Sequence, residues 1–193
     1  MTEVIKKKLN DYTVARWSAL ILIALTMFFG YMFVDVLSPL QSMLEKDLLW
    51  TPEVFGLYGS SEFFLNVFVF FLIFAGIILD KMGIRFTGVL SASLMFIGAA
   101  IKWYGVSHDF AADSILNSFM VWMPASAKLA CIGFMIFGCG VEMAGVTVSK
   151  AIAKWFNGKE MALAMGLEMA IARLGVFTIF SISPMIANIA PVD

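Results

Sequence analysis

Charge is what this chain has least of. Aspartate, glutamate, lysine and arginine make up 14% of 193 residues, where a soluble domain carries about 25%, so a water-soluble globular fold is excluded. The lone histidine, His108, falls in a polar loop, where solvation accounts for it. Cys131 and Cys139 lie eight residues apart in one apolar stretch. That spacing gives no disulfide framework and no zinc site, and the two are expected as buried thiols. There is no H-E-x-x-H and no G-x-S-x-G, so the chain is not expected to be an enzyme or to hold a cofactor. The formal net charge of -1 averages two aqueous faces and says nothing about acidic or nucleic-acid partners, and no nucleic-acid partner is expected. Asn-x-Ser/Thr is absent, which favours a bacterial inner membrane over its alternative, a lysosomal or other eukaryotic membrane.

Apolar residues fill the space that charge leaves, at 61% of the chain with a mean hydropathy of +0.92. Five runs approach or exceed the ~20 residues a bilayer span needs: 17–41, 54–79, 86–105, 128–153 and 160–188. The expected fold is all-α, a polytopic membrane helix bundle. Residues 1–16 form a polar tail. Residues 42–53 form a short amphipathic connection, with Pro52 starting the second span, and residues 106–127 read as an aqueous loop. The first run is too long for a signal peptide. Basic residues stay on the cytoplasmic face. A cytoplasmic N-terminus puts Lys6, Lys7, Lys8, Arg16, Lys81, Arg85, Lys150, Lys154 and Lys159 inside, and Lys46, Lys102 and Lys128 outside. Trp17, Trp50, Trp103 and Trp155 fall near span ends, as an interfacial aromatic belt requires.

In the stretch from Phe137 to Gly175, Glu142 lies deep in the first segment and Arg173 deep in the second, and ionisable groups at membrane depth are functional suspects by default. With Asn157-Gly158 as the turn, each lies ~23 Å from it at ~1.5 Å per residue, so the two would be level across a helical hairpin. Cys131, Gly138, Glu142, Gly145 and Ser149 share one face of the first helix; Ala162, Gly166, Ala170 and Arg173 share one face of the second. Small residues at this spacing let membrane helices approach closely. The expectation is two small-residue faces packed together with the acid and the arginine between them. The alternative is an interaction or assembly protein in which a structural Glu–Arg pair locks the hairpin.

The junction of the second and third runs reads Gly76-x-x-x-Asp80-Lys81-x-Gly83-x-Arg85, which resembles the G-x-x-x-D-[RK]-x-G-x-[RK] loop of the major facilitator superfamily. Four further stretches are similar to the lysosomal dipeptide uniporter branch of that superfamily: Gly138-x-Gly140-x-Glu142, then Trp155-Phe156-x-Gly158-Lys159-Glu160, Gly166-Leu167, and Ala172-Arg173-x-Gly175. Tyr31-x-x-x-Asp35-x-x-x-Pro39-Leu40-Gln41 continues the likeness in the first run. Members have twelve helices in two halves that rock about a central site. The resemblance therefore implies the N-terminal half of a carrier of small zwitterionic solutes such as dipeptides. It also implies that this chain is a fragment, lacking its sixth helix and C-terminal half, with that half and the bilayer as its partners.

For a zwitterion, Arg173 suits the carboxylate, since its planar fork donates two parallel hydrogen bonds and keeps its charge. Glu142 would hold or release Arg173. Asp35 and Glu62 are placed to receive the ammonium or to gate the outer side, with Tyr31, Tyr58 and Asn66 as further wall candidates. Gly76, Asp80, Lys81, Gly83 and Arg85 would form the gating loop. The branch is more aromatic at the position of Glu62 and tends to an amide at that of Glu168. Glu168 points nearly opposite to Arg173 by helical phase, and is a candidate proton site because burial favours the neutral form of an acid.

Overall fold

The computed structural model describes residues 11–108, 110 and 115–189. Its elements are α1 (Thr13–Val34), a single 3-10 turn (Ser38–Leu40), α2 (Gln41–Leu48), α3 (Pro52–Phe68), α4 (Phe71–Ser107), α5 (Ile115–Ser118), α6 (Ala125–Trp155) and α7 (Met161–Ile189). Among the described residues there is no strand. Most of residues 1–16, with Lys6, Lys7 and Lys8, and Asp109 and Asp113 of the expected loop, lie outside the described residues.

Among the described residues, four stretches are long and apolar enough to cross a membrane: Thr13–Leu48, Phe71–Ser107, Ala125–Trp155 and Met161–Ala187. The chain is a multi-pass membrane protein. The expected second span, 54–79, is not one continuous helix. It begins at Pro52, where Thr51 caps by accepting from the Val54 N–H, and breaks at Val69–Phe70, where Phe70 takes φ 54°. It resumes as the first limb of α4, which turns at Gly83 (φ 81°, ψ 171°). Only glycine adopts that backbone without strain. The expected separation of spans two and three at the Gly83 loop is therefore present as a turn within α4.

The first span also differs from expectation, running 13–34 rather than 17–41. Its last turn closes when the Asp35 N–H donates to the Tyr31 carbonyl, and Pro39, which lacks an N–H, starts the 3-10 turn that follows. The turn after α6 is as expected, with Gly158 at φ 71°.

Helix α6 is the axis of the bundle, with 56% of its apolar window buried against 17–28% for the other spans. Its glycines let two neighbours touch its backbone. A Cβ on Gly98 of α4 would fall 2.4 Å from the Phe137 nitrogen, and one on Gly140 would fall 2.7 Å from the Met95 nitrogen. The pairings Ser91–Gly140, Gly98–Gly133 and Gly105–Ala130 run in opposite senses, so the second limb of α4 is antiparallel to α6. Trp50–Ser126, Tyr58–Phe134 and Glu62–Gly138 advance together, so α3 is parallel to it.

Helix α7 does not pack its small face on α6 as expected. Ala164, Glu168, Ala172 and Gly175 are its buried face, and a Cβ on Gly175 would meet the Phe28 carbonyl of α1 at 2.2 Å. Ala162, Gly166 and Ala170 are exposed. The reason is competition, since the glycine face of α6 is already occupied by α3 and α4. At the base of the α1–α7 pair, buried Arg16 reaches Glu160 at 3.3 Å and lies over the Phe156 ring. Trp50 is another correction. It is fully buried and donates its indole N–H to Ser126 Oγ at 3.0 Å, so it is a core residue and not part of a belt.

Backbone contact of this kind has no room for a methyl group. Gly98→Ala is expected to destabilise the bundle by about 1–3 kcal/mol, the usual cost of overpacking. Gly88→Ala, where nothing lies within 4 Å, is expected to hold or raise stability, because alanine is the better helix former. Thermal melts of the two purified variants in one detergent should move in opposite directions from the parent.

Candidate functional site

Four helices end or pass close together toward the Trp50 end of the bundle, and they enclose a cavity of about 350 Å³. This lies at the small end of the ~300–1,000 Å³ range of small-molecule sites. Tyr31 and Asp35 come from the end of α1, Tyr58 and Glu62 from α3, Glu142 from α6 and Arg173 from α7. Five of the six residues expected to bind solute thus share one wall system although they span 143 positions of sequence (31 to 173). Each is held for a local reason. Asp35 caps α1, and its Oδ1 accepts from Ser38 Oγ at 3.1 Å. Glu62 is 7% exposed because α3 lies flush on Gly138, where a Cβ would come within 2.4 Å of the Glu62 carbonyl and 2.8 Å of its Cγ.

The sixth, Asn66, does not line the cavity. One turn beyond Glu62, its amide nitrogen donates to the Glu62 carbonyl at 3.4 Å, so it braces the backbone. Tyr58 is 2% exposed and stacks on Phe134 at 4.7 Å and 18°.

Glu142 and Arg173 both reach the cavity, but no ion pair joins them among the described residues; ion pairs instead join Arg16 to Glu160, Lys150 to Asp80 and Lys159 to Asp11. The guanidinium instead lies over the Tyr31 ring, 5.3 Å from its centroid, a cation–π arrangement. The cause is the helix placement described above: with α7 on α1, the acid and the arginine are two sides of a cavity and not the two halves of a seam. Glu168 is buried on the α1-facing side of α7 and does not line this cavity.

Lys102, counted by the sequence reading only among the basic residues of the outer side, is 3% exposed. Its Nζ donates to the Phe33 carbonyl at 2.7 Å and sits 4.6 and 4.8 Å from the Phe134 and Phe137 ring centroids. It thus ties α4 to the end of α1 from behind the Phe134 wall. The available signal was a lysine inside an apolar run, which is as unusual as Glu142. Lys128 is likewise buried, capping the Leu116 and Phe119 carbonyls.

At the Gly158 end, the loop residues take separate parts. Asp80 pairs with Lys150 of α6 at 2.6 Å, both side chains substantially exposed. Gly83 makes the turn, and its carbonyl accepts from Thr87 Oγ1 at 2.9 Å. Arg85 lines a second, wider cavity of about 1140 Å³ with Asp11, Lys154 and Lys159. Lys81 is exposed, and Gly76 has open space where a Cβ would stand.

The sequence model of the Major Facilitator Superfamily matches residues 23–191. The chain belongs to that superfamily. Among curated relatives, the lysosomal dipeptide transporter MFSD1 of Mus musculus is 29% identical over 160 residues, covering 81% of this chain and 31% of the relative. That of Danio rerio is 33% identical over 150 residues, covering 77% and 28%, and that of Homo sapiens 28% over 161, covering 83% and 31%. The chain therefore spans about a third of the length of these superfamily members. No solved structure matches it.

The geometry separates cavity walls from supports. In a background with Cys131 and Cys139 replaced by serine, a membrane-impermeant thiol reagent is expected to label Gly59→Cys and Arg173→Cys at least ~10-fold faster than Asn66→Cys, read as labelling rates in intact vesicles.

Proposed function

We propose that this chain forms one half of a carrier that moves small zwitterionic solutes, dipeptides foremost, by alternating access. The observation that carries this reading is the gathering of Asp35, Glu62, Glu142 and Arg173 around one cavity. A solute carboxylate would dock on the Arg173 fork, which lies over the Tyr31 ring and can donate two parallel N–H bonds to an anion. The ammonium would be received by the carboxylates, so hydration lost on entering the membrane is replaced at both ends. A second helix bundle facing this one would complete the site. The coverage of about a third of each dipeptide transporter relative supports that arrangement.

In the same reading the Gly158 end faces the cytoplasm, as the basic residues around it favour, and the Asp80–Lys150 contact belongs to a gate that opens and closes the wide cavity beside Arg85. The membrane is proposed as a bacterial inner membrane on sequon absence, against the lysosomal location in the relatives' names. The assembly-protein alternative required a Glu142–Arg173 lock, and the two side chains meet the cavity without forming one among the described residues.

The test is uptake of labelled Ala-Ala into vesicles holding the complete reading frame that encodes this chain. Arg173→Ala is expected to lower uptake at least ~100-fold, and Arg173→Lys to recover only part of it, because an ammonium cannot supply the bidentate contact. Uptake unchanged by Arg173→Ala would remove the proposed role. Lys150→Ala should shift stability by no more than about 1 kcal/mol, as exposed pairs do; a several-fold fall in transport rate without a matching fall in melting temperature is the outcome expected of a gate.

A further inference from the structure

Residues 115–124 belong to the stretch expected as an aqueous loop, yet they carry no charge and present apolar side chains outward. Phe119, Val121 and Trp122 are 69%, 84% and 59% exposed, and Val121 is the most exposed large apolar side chain among the described residues. Met123 turns inward instead, into the cluster that holds Trp50 and Ala127. A contiguous apolar display of this kind marks a contact surface.

Two independent features identify what covers it. The first is the backbone. Buried Lys128 donates from its ammonium to the Leu116 and Phe119 carbonyls at the end of α5, and the Met123 N–H donates to the Met120 carbonyl at 2.9 Å. A loop in water can leave such carbonyls to the solvent, whereas one in contact with lipid must satisfy them from within. The second is level. Helix α6 has 31 residues, ~46 Å at ~1.5 Å each, which matches the ~40–45 Å of a bilayer with its headgroups. Lys128 stands twelve residues from the helix centre at Gly140, ~18 Å along the axis, and its side chain leans further toward the helix N-terminus. Hydrocarbon ends ~15 Å from the bilayer centre. The lysine therefore holds Phe119 in the headgroup layer, the level that aromatic side chains favour.

We propose that Phe119, Val121 and Trp122 form a lipid anchor that inserts into the boundary between headgroups and acyl chains, with Lys128 as the residue that positions it. The anchor fixes the level of α6, the axis of the bundle, against the membrane surface. It stands apart from the cavity between α1, α3, α6 and α7 and does not depend on what the chain transports.

The experiment places the protein from the complete reading frame in phosphatidylcholine nanodiscs at one copy per disc, so that neither a second copy nor another protein can cover the segment. With Cys131 and Cys139 replaced by serine, Val121→Cys is labelled with bimane, and Asp47→Cys, exposed on α2 at the same end of the bundle, serves as the solvated reference. Phosphatidylcholine brominated near the carbonyl end of its acyl chains is expected to quench the label at position 121 by about half and that at position 47 by less than about a tenth, with iodide giving the reverse order. Phe119→Ser combined with Trp122→Ser should lower the bromolipid quenching at position 121 several-fold, and so should Lys128→Met in protein that elutes as a single folded species. Equal iodide quenching at the two positions without bromolipid quenching would overturn the anchor and leave this face to water or to a protein partner. Bromolipid quenching unmoved by the paired serine substitutions would overturn the assignment to these side chains, and quenching unmoved by Lys128→Met would overturn the positioning role.

Discussion

Backbone contact along α6 is the constraint on which the other features of this bundle depend. Gly133 and Gly140 admit α4 to within van der Waals reach of the α6 main chain, and Gly138 does the same for α3 at Glu62. In a membrane no hydrophobic force draws one helix to another, because lipid is as apolar as leucine, so close packing of small residues is what holds such helices together. With these faces occupied, α7 is left to α1, where Gly175 lies on the Phe28 backbone. The cavity is the space this arrangement leaves between α1, α3, α6 and α7.

The buried polar groups follow from the same packing. Glu62 is carried inward because α3 lies flat on Gly138. Lys102 is carried inward because Gly98 and Gly105 bring its helix onto α6 on either side of it. Both would be expensive in hydrocarbon. Lys102 is provided for by the Phe33 carbonyl and the Phe134 and Phe137 rings, whereas Asp35, Glu62, Glu142 and Arg173 face a shared cavity. That contrast separates a charge that fastens helices from charges that face open space. Phe134 stands at the boundary, with the Lys102 ammonium 4.6 Å from its ring centroid and the Tyr58 ring stacked on it at 4.7 Å.

Much of this was legible before any coordinates. Hydropathy shows a helical membrane bundle, Pro52 marks a helix start, and Asn157-Gly158 and the Gly83 loop mark turns, since each of these is a local property of a few residues. Glu142 and Arg173 were legible because an ionisable group in an apolar run is conspicuous in one dimension, and Asp35 and Glu62 by the same logic. Lys102 was equally conspicuous but was read as a topology signal, since its place near a span end allowed both roles. The break at Val69–Phe70 left no signal, as neither residue is a helix breaker by type. Trp50 was read as interfacial because a tryptophan near a span end suits both belt and core, and only its bond to Ser126, 76 positions away, distinguishes them.

What the sequence by itself determined is the kind of protein and the inventory of its intramembrane charges, because transfer free energy and helix periodicity depend on residue type and near neighbours. Which charges meet was decided by tertiary structure. Helical phase places Gly138 and Glu142 on one face but does not say whether α3, α4 or α7 will occupy it. That choice turns on steric fit between whole helices, and it converts an expected Glu142–Arg173 seam into a cavity with three acids and an arginine in its walls.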